Sequence, residues 1–188
     1  KNTLKQVTEY AIEALEKLGA SIEIDSGYVI AKAPKGLRGG LIDFPKVTVG
    51  GTHVALMAAS LAHGTTEIHN AAREPEVADL AECLIKMGAS IEGIGTSRIV
   101  IEGVSRLGGA HHHVLPDRIE TGTYAMAVAM TGGDVMLGGA RSDLLQSALG
   151  VLQQAGVEVL TSDLGIRIRR NGNGLMPVDI ETQPFPGF

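Results

Sequence analysis

Tryptophan is absent from this 188-residue sequence, and phenylalanine and tyrosine contribute only three residues each. With so few rings to stack on bases, and 21 acidic residues against 16 Lys and Arg for a formal charge of -5, neither stacking nor long-range attraction favours a nucleic acid partner. Cysteine occurs once, as Cys83. An internal disulfide is excluded, which fits a reducing compartment. Long apolar runs are also missing: the charge-poor stretch around Thr121 to Gly133 is too short and too rich in Gly and Thr to cross a bilayer, and no signal peptide pattern opens the chain. The expectation is a soluble, cytoplasmic protein with no membrane partner.

What is present is an ordinary globular balance of 44% hydrophobic and 20% charged residues, with 25 glycines. That is ample for a packed core of Ala, Val, Ile, Leu and Met interrupted by many tight turns. The most informative feature is a repeat. A helical pattern stops at glycine and strand-like alternation begins at Leu15-Glu-Lys-Leu-Gly19-Ala-Ser-Ile-Glu23, at Leu84-Ile-Lys-Met-Gly88-Ala-Ser-Ile-Glu92, and at Leu152-Gln-Gln-Ala-Gly156-Val-Glu-Val159, the glycines lying 69 and 68 residues apart. Each glycine stands where a helix end needs a left-handed residue.

Val77, Leu80, Ala81, Leu84 and Ile85 form one apolar stripe on a helix that Pro75 can start. A second such helix carries Leu144, Leu145, Ala148, Leu152 and Ala155, with Ser142 and Asp143 as capping candidates. After each glycine two strands are expected around a turn: Ser21 to Asp25 and Tyr28 to Lys32, Ser90 to Ile94 and Arg98 to Glu102, Val157 to Thr161 and Ile166 to Arg169. Val54 to Ala62 and Tyr124 to Met130 are apolar nearly all round, which predicts helices buried on every side. Thr66 to His69 and Asp134 to Leu137 then read as strands. The unit is therefore strand, buried helix, strand, amphipathic helix and two strands, and the chain reads as a window cut from a longer repeat protein.

Phe44-Pro-Lys-Val-Thr-Val-Gly-Gly-Thr52 aligns without a gap on Leu115-Pro-Asp-Arg-Ile-Glu-Thr-Gly-Thr123. In both, a strand is expected to end and a buried helix to start, so that unpaired backbone N–H groups face the turn and suit an anion. The first copy adds the ammonium of Lys46, the hydroxyl of Thr48 and the close approach allowed by Gly50 and Gly51, a pyrophosphate-like cradle. The second places Asp117 and Glu120 there, which would repel one. From the residues alone, both junctions also read as glycine-permitted helix starts with no ligand.

Other chemistry-bearing residues point to plainer roles. Cys83 falls between Leu80 and Leu84 as a small packing residue. The His111-His112-His113 tract, read as a strand, brings together only His111 and His113, and no metal site is expected. His53 and His69 are isolated. Arg73-Glu-Pro-Glu76 reads as a solvated cap whose acids suit a helix N-terminus, with Arg73 unaccounted for.

Four strings, Phe44-Pro-Lys-Val-Thr-Val-Gly50, Asn70-Ala-Ala-Arg-Glu-Pro-Glu76, Gly95-Thr-Ser-Arg-Ile-Val-Ile-Glu-Gly103 and Leu115-Pro-Asp-Arg-Ile-Glu-Thr-Gly122, make the sequence from about Ala11 to Phe188 resemble the UDP-N-acetylglucosamine 1-carboxyvinyltransferases. The resemblance implies an inside-out α/β barrel of the enolpyruvyl transferase type, two domains of three units each, with helices inside and sheets outside. It implies transfer of the enolpyruvyl group of phosphoenolpyruvate to the 3-hydroxyl of UDP-N-acetylglucosamine, by addition and then elimination of phosphate, in peptidoglycan precursor synthesis. No cofactor or metal is expected. The family's sugar-nucleotide stretch falls on Lys46, Val47, Thr48 and Val49, with Gly50 completing the turn.

The same resemblance implies that residues 1–115 are the later part of the catalytic domain and 116–188 the truncated beginning of the second, with Asp117 and Arg118 near the crossing. The family's reactive cysteine loop precedes the first helix, and its Arg-Pro-Val-Asp-Leu stretch is replaced here by Gln6-Val-Thr-Glu-Tyr10. The general acid is therefore expected outside these residues, the remainder of the enzyme chain is the expected partner, and this chain alone is expected to be inactive. The alternative is a noncatalytic sugar-nucleotide or anion-binding module that shares the repeat.

Overall fold

The computed structural model describes residues 3–172, 174–183 and 185, with side chains from Thr8 onward. Lys1, Asn2 and most of the Phe185 to Phe188 turn lie outside the described residues, as do the side chains of Gln6 and Val7 in the divergent N-terminal stretch. Two compact units meet in sequence between His113 and Val114.

The first unit opens with helix α1 (Thr3–Lys17) and the antiparallel pair β1 (Ser21–Asp25) and β2 (Tyr28–Lys32). A complete repeat follows: β3 (Leu41–Asp43), α2 (Val49–Ala59), β4 (Thr65–His69), α3 (Pro75–Lys86), β5 (Ser90–Glu92) and β6 (Arg98–Glu102). These strands form one sheet in the order β3-β4-β6-β5, with β3 parallel to β4 across the α2 crossover and the other pairs antiparallel. Period-two alternation is visible in its register: Ile68 pairs with Ile99 and Thr66 with Ile101, all four fully buried. The core between this sheet and the helices gathers Leu18, Ile42, Phe44, Leu56, Val77 and Leu84.

The second unit holds α4 (Arg118–Thr131), β7 (Gly133–Gly138), α5 (Gln146–Gln154), β8 (Glu158–Ser162) and β9 (Gly165–Arg170). Its sheet runs β7-β9-β8, all antiparallel, the same order as β4-β6-β5. Its own core is Ala125, Val128, Leu149, Leu152, Ile166 and Ile168 among others. The three repeat glycines have φ of 90°, 103° and 90° at Gly19, Gly88 and Gly156, the left-handed helix ends that the spacing requires.

Four expectations need correction. Residues 103–117 form no strand, so α4 lacks the opening strand that β3 gives α2, and the His111–His113 tract does not alternate as a strand. The apolar helices are not buried on every side: Met57 on α2 is 48% exposed, and Tyr124 and Met130 on α4 are 56% and 76% exposed. Each helix buries one face: α2 lies chiefly against α1, then α3 and strands β4 and β6, and buries Ala55, Leu56 and Ala59, while α4 lies against β7, β9 and α5 and buries Ala125, Val128 and Ala129. Finally, Ser142 and Asp143 do not cap α5. They form a 3-10 turn, Asp143 pairs with Arg141, and Leu145 precedes the helix without a side-chain cap.

Candidate functional site

The turn that links β3 to α2 is anchored from both ends. Phe44 is 2% exposed, with the Tyr10 ring edge-on at 6.2 Å between centroids. Its N–H donates to the His69 carbonyl and its carbonyl accepts from the Asn70 side-chain amide at 2.9 Å. Three residues of turn then lead to Thr48, whose extended backbone (φ -142°, ψ 117°) makes it the N-cap of α2. The Thr48 hydroxyl accepts from the Gly51 N–H at 3.2 Å, and the Thr48 carbonyl accepts from the Thr52 N–H at 3.0 Å and from the Thr52 hydroxyl at 2.7 Å.

This geometry divides the anticipated cradle. Thr48 is buried and its oxygen already serves the cap. Gly51 makes room for protein: a Cβ there would stand 2.5 Å from Thr48 Cγ2 and 3.1 Å from Phe44 Cε1. Close approach to a ligand is therefore not what fixes Gly51. The groups that face outward are the exposed Lys46 and half-exposed Val47, followed by the partly buried Val49 and Gly50 at the start of the helix. The amides of Val49 and Gly50 lie in the first turn, where no intrahelical acceptor exists. Among the described residues the Lys46 ammonium has no hydrogen-bond or salt-bridge partner. One cation and two helix N-terminal amides suit an anion's oxygens.

At the second copy the same position is filled by the protein itself. The Asp117 carboxylate accepts from the N–H groups of Ile119 at 2.8 Å and Glu120 at 3.0 Å, satisfying the first turn of α4 with an internal anion. Thr123, aligned with the buried Thr52, is exposed, and among the described residues its hydroxyl donates back along its helix to the Ile119 carbonyl.

The Asn70 to Glu76 string is tied to this turn. Besides Asn70, the Ala72 N–H donates to the Thr52 hydroxyl at 3.1 Å. Arg73 is exposed and its Nε donates to the Gly95 carbonyl at 3.2 Å, which accounts for the residue that the cap reading left over. Glu74 makes no side-chain cap, and its Oε2 is buried without a partner. Asp117 and Arg118 belong to the second unit, where the Arg118 guanidinium lies 5.4 Å from the centre of the Phe185 ring. Among the described residues no group of three or more His, Cys, Asp or Glu is assembled as for a metal ion, and no helix is long and apolar enough to cross a membrane.

Residues 9–188 match the family model described as EPSP synthase (3-phosphoshikimate 1-carboxyvinyltransferase). The chain belongs to the EPSP synthase family. Within it, the chain is 74% identical over 175 residues to a UDP-N-acetylglucosamine 1-carboxyvinyltransferase of Methylorubrum extorquens, a match that covers 93% of this chain and 41% of the relative. It is 67% identical over 180 residues to the enzyme of the same name from Xanthobacter autotrophicus, covering 96% of this chain and 42% of that one. The chain thus spans about two fifths of the length of these relatives. The enolpyruvyl transferase NikO from Streptomyces tendae shares the fold with a TM-score of 0.76 at 23% identity, over 95% of this chain and 45% of that one. EPSP synthase from Acinetobacter baumannii gives a TM-score of 0.60 at 24% identity, over 86% and 38%. The repeated α/β unit of the enolpyruvyl transferase family is therefore the architecture here.

Two residues are not distinguished by the sequence. Thr52 carries a visible signal, its match to Thr123, but nothing marks it as the acceptor for Ala72. His112 reads as the odd member of a histidine tract, yet it is the one whose ring is buried, at 8% exposure, against Asp79. Only tertiary structure separates it from its neighbours.

Proposed function

We propose that the chain is a section of a UDP-N-acetylglucosamine 1-carboxyvinyltransferase and that Lys46, Val47, Thr48, Val49 and Gly50 hold the diphosphate of the sugar nucleotide. The complete enzyme then transfers the enolpyruvyl group of phosphoenolpyruvate to the 3-hydroxyl of UDP-N-acetylglucosamine, in the cytoplasm, on the route to peptidoglycan. The observation that carries this reading is the β3–α2 turn: among the described residues the Lys46 ammonium is unpartnered, and the Thr48 cap engages Gly51 but not the Val49 and Gly50 amides, whereas the first-turn amides of α4 are engaged by its own Asp117. The 74% identity to a relative of that name supports the choice of substrate.

In this reading the roles within the turn differ. Lys46 supplies charge, Val49 and Gly50 supply amides, and Thr48 shapes the turn from inside by capping α2. These groups bind and orient. Residues 1–115 belong to the catalytic domain and 116–188 to its partner. The sole cysteine, Cys83, is partly buried on α3, and we assign it no part in proton transfer. The general acid comes from the rest of the enzyme, and the 188-residue chain alone does not turn over.

The test is calorimetric titration of the complete enzyme with UDP-N-acetylglucosamine before and after Lys46→Ala. Loss of one charge-assisted contact predicts weaker binding by about 1 to 3 kcal/mol. Unchanged affinity would remove Lys46 from the site.

A further inference from the structure

We propose that His112 is a tether that fixes where the chain leaves the first unit, and that it acts through a single tautomer of its imidazole. The connector after β6 has no regular structure, but it is fastened at intervals. The Gly103 N–H donates to the Gly64 carbonyl at 3.0 Å, the Val104 N–H to the Ser60 carbonyl at 2.9 Å, and the Gly108 N–H to the Met87 carbonyl at 2.7 Å, while Leu107 packs on the core. Among the described residues no backbone hydrogen bond holds 109–113.

A side chain takes over that task. His112 Nε2 lies 3.0 Å from Asp79 Oδ1, and His112 Nδ1 lies 3.0 Å from Lys86 Nζ. Asp79 and Lys86 stand two turns apart on one face of α3, and the imidazole bridges them. The His112 side chain is 8% exposed and that of Asp79 13%. His111 and His113 are both exposed, and Val114, the first residue of the second unit, is 78% exposed. Among the described residues the tether is thus the last anchor before the chain passes on.

The two partners dictate the proton positions. An ammonium can only donate and a carboxylate can only accept. Nδ1 must therefore present its lone pair to Lys86, and Nε2 must carry the hydrogen that Asp79 accepts. The opposite tautomer sets N–H against ammonium and lone pair against carboxylate, losing both bonds. Without the ring, the nearest remaining anchor is Gly108. None of this depends on the reading of the Lys46 turn.

The experiment is NMR of the complete protein with His112→Ala and His112→Gln, alongside imidazole nitrogen shifts of the parent. In the parent, amide order parameters at His111 to His113 should sit near about 0.85, the rigid range, and fall below about 0.6 in His112→Ala. His112→Gln, whose amide nitrogen can still donate to Asp79, should recover part of the loss. The parent imidazole should show a protonated Nε2 and an unprotonated Nδ1. Unaltered order parameters in His112→Ala, or a protonated Nδ1 in the neutral ring, would overturn the proposal. If His112→Ala does not fold, the exposed Lys86→Met variant removes one arm alone, and an unmoved Nδ1 resonance there would overturn it equally.

Discussion

Thr52 and Ala72 are joined by one buried hydrogen bond: the Ala72 N–H donates at 3.1 Å to a hydroxyl that itself donates at 2.7 Å to the Thr48 carbonyl. A single oxygen thereby fastens the first turn of α2 to the segment that leads into α3. Thr52→Val keeps the shape but strands the Ala72 amide in a site with no solvent access. The cost should be about 1 to 3 kcal/mol, read as a lower urea midpoint with unchanged slope. Thr123→Val, at the aligned but exposed position, should shift the midpoint far less. Equal losses at the two positions would contradict this account of the turn.

Gly51→Ala should be destabilising because its methyl would stand 2.5 Å from Thr48 Cγ2, in a side chain held by its own capping bond. Overpacking of this kind costs about 1 to 3 kcal/mol. Thr48→Ser removes the offending methyl and keeps the capping hydroxyl. The double variant Thr48→Ser/Gly51→Ala should therefore be more stable than the sum of the single changes predicts, a coupling that a double-mutant cycle measures directly. Strict additivity would mean that the contact with Phe44, not Thr48, sets the limit.

Asp134 and Arg167 form a two-point pair across β7 and β9, with Nε–Oδ1 and Nη2–Oδ2 both at 2.6 Å. Hydrogen bonds from Arg167, more than its charge, hold the Asp134 carboxyl below its usual range, and Glu67 is lowered likewise, first by Arg98 and then by His69. A carboxylate whose folded pKa is depressed contributes stability above its unfolded value of 3.8, and that contribution is lost as pH falls through the lower folded value. Asp134→Asn should thus lower the thermal midpoint slightly near neutral pH and converge with the parent in acid. The pair is exposed, so the difference should be small and should shrink with added salt. A gap between the two proteins that widens on acidification would contradict the assignment.

Much of the fold was legible because it rests on local rules. Glycines at positive φ mark every helix-to-strand junction of the repeat, and Pro75 begins α3 as its ring geometry favours. The strands at 21–25, 28–32 and 98–102 coincide with their alternation. What was not legible depends on partners distant in sequence. No local pattern says that residues 103–117 run as a fastened but irregular connector, since its bonds go to Ser60, Gly64 and Met87. Nor does hydropathy reveal which side of α2 or α4 stays open. Met57 and Met130 look like core residues until packing against the neighbouring helices and strands selects one face.

The candidate turn was legible in part for the same reason. Lys46 and the helix start were visible as a motif, and Asp117 was visible as a charge that would repel an anion. The division of labour inside the turn was not, because Gly51 fits against Thr48 and Phe44, contacts that only the folded chain brings together.

The central claim is that the first turn of α2 receives the diphosphate, and a crystal structure of the complete enzyme with UDP-N-acetylglucosamine tests it most directly. The account predicts diphosphate oxygens within about 3 Å of the Val49 and Gly50 amides, with the Lys46 ammonium alongside. Nucleotide density bound elsewhere, with the Lys46 turn empty, would contradict it.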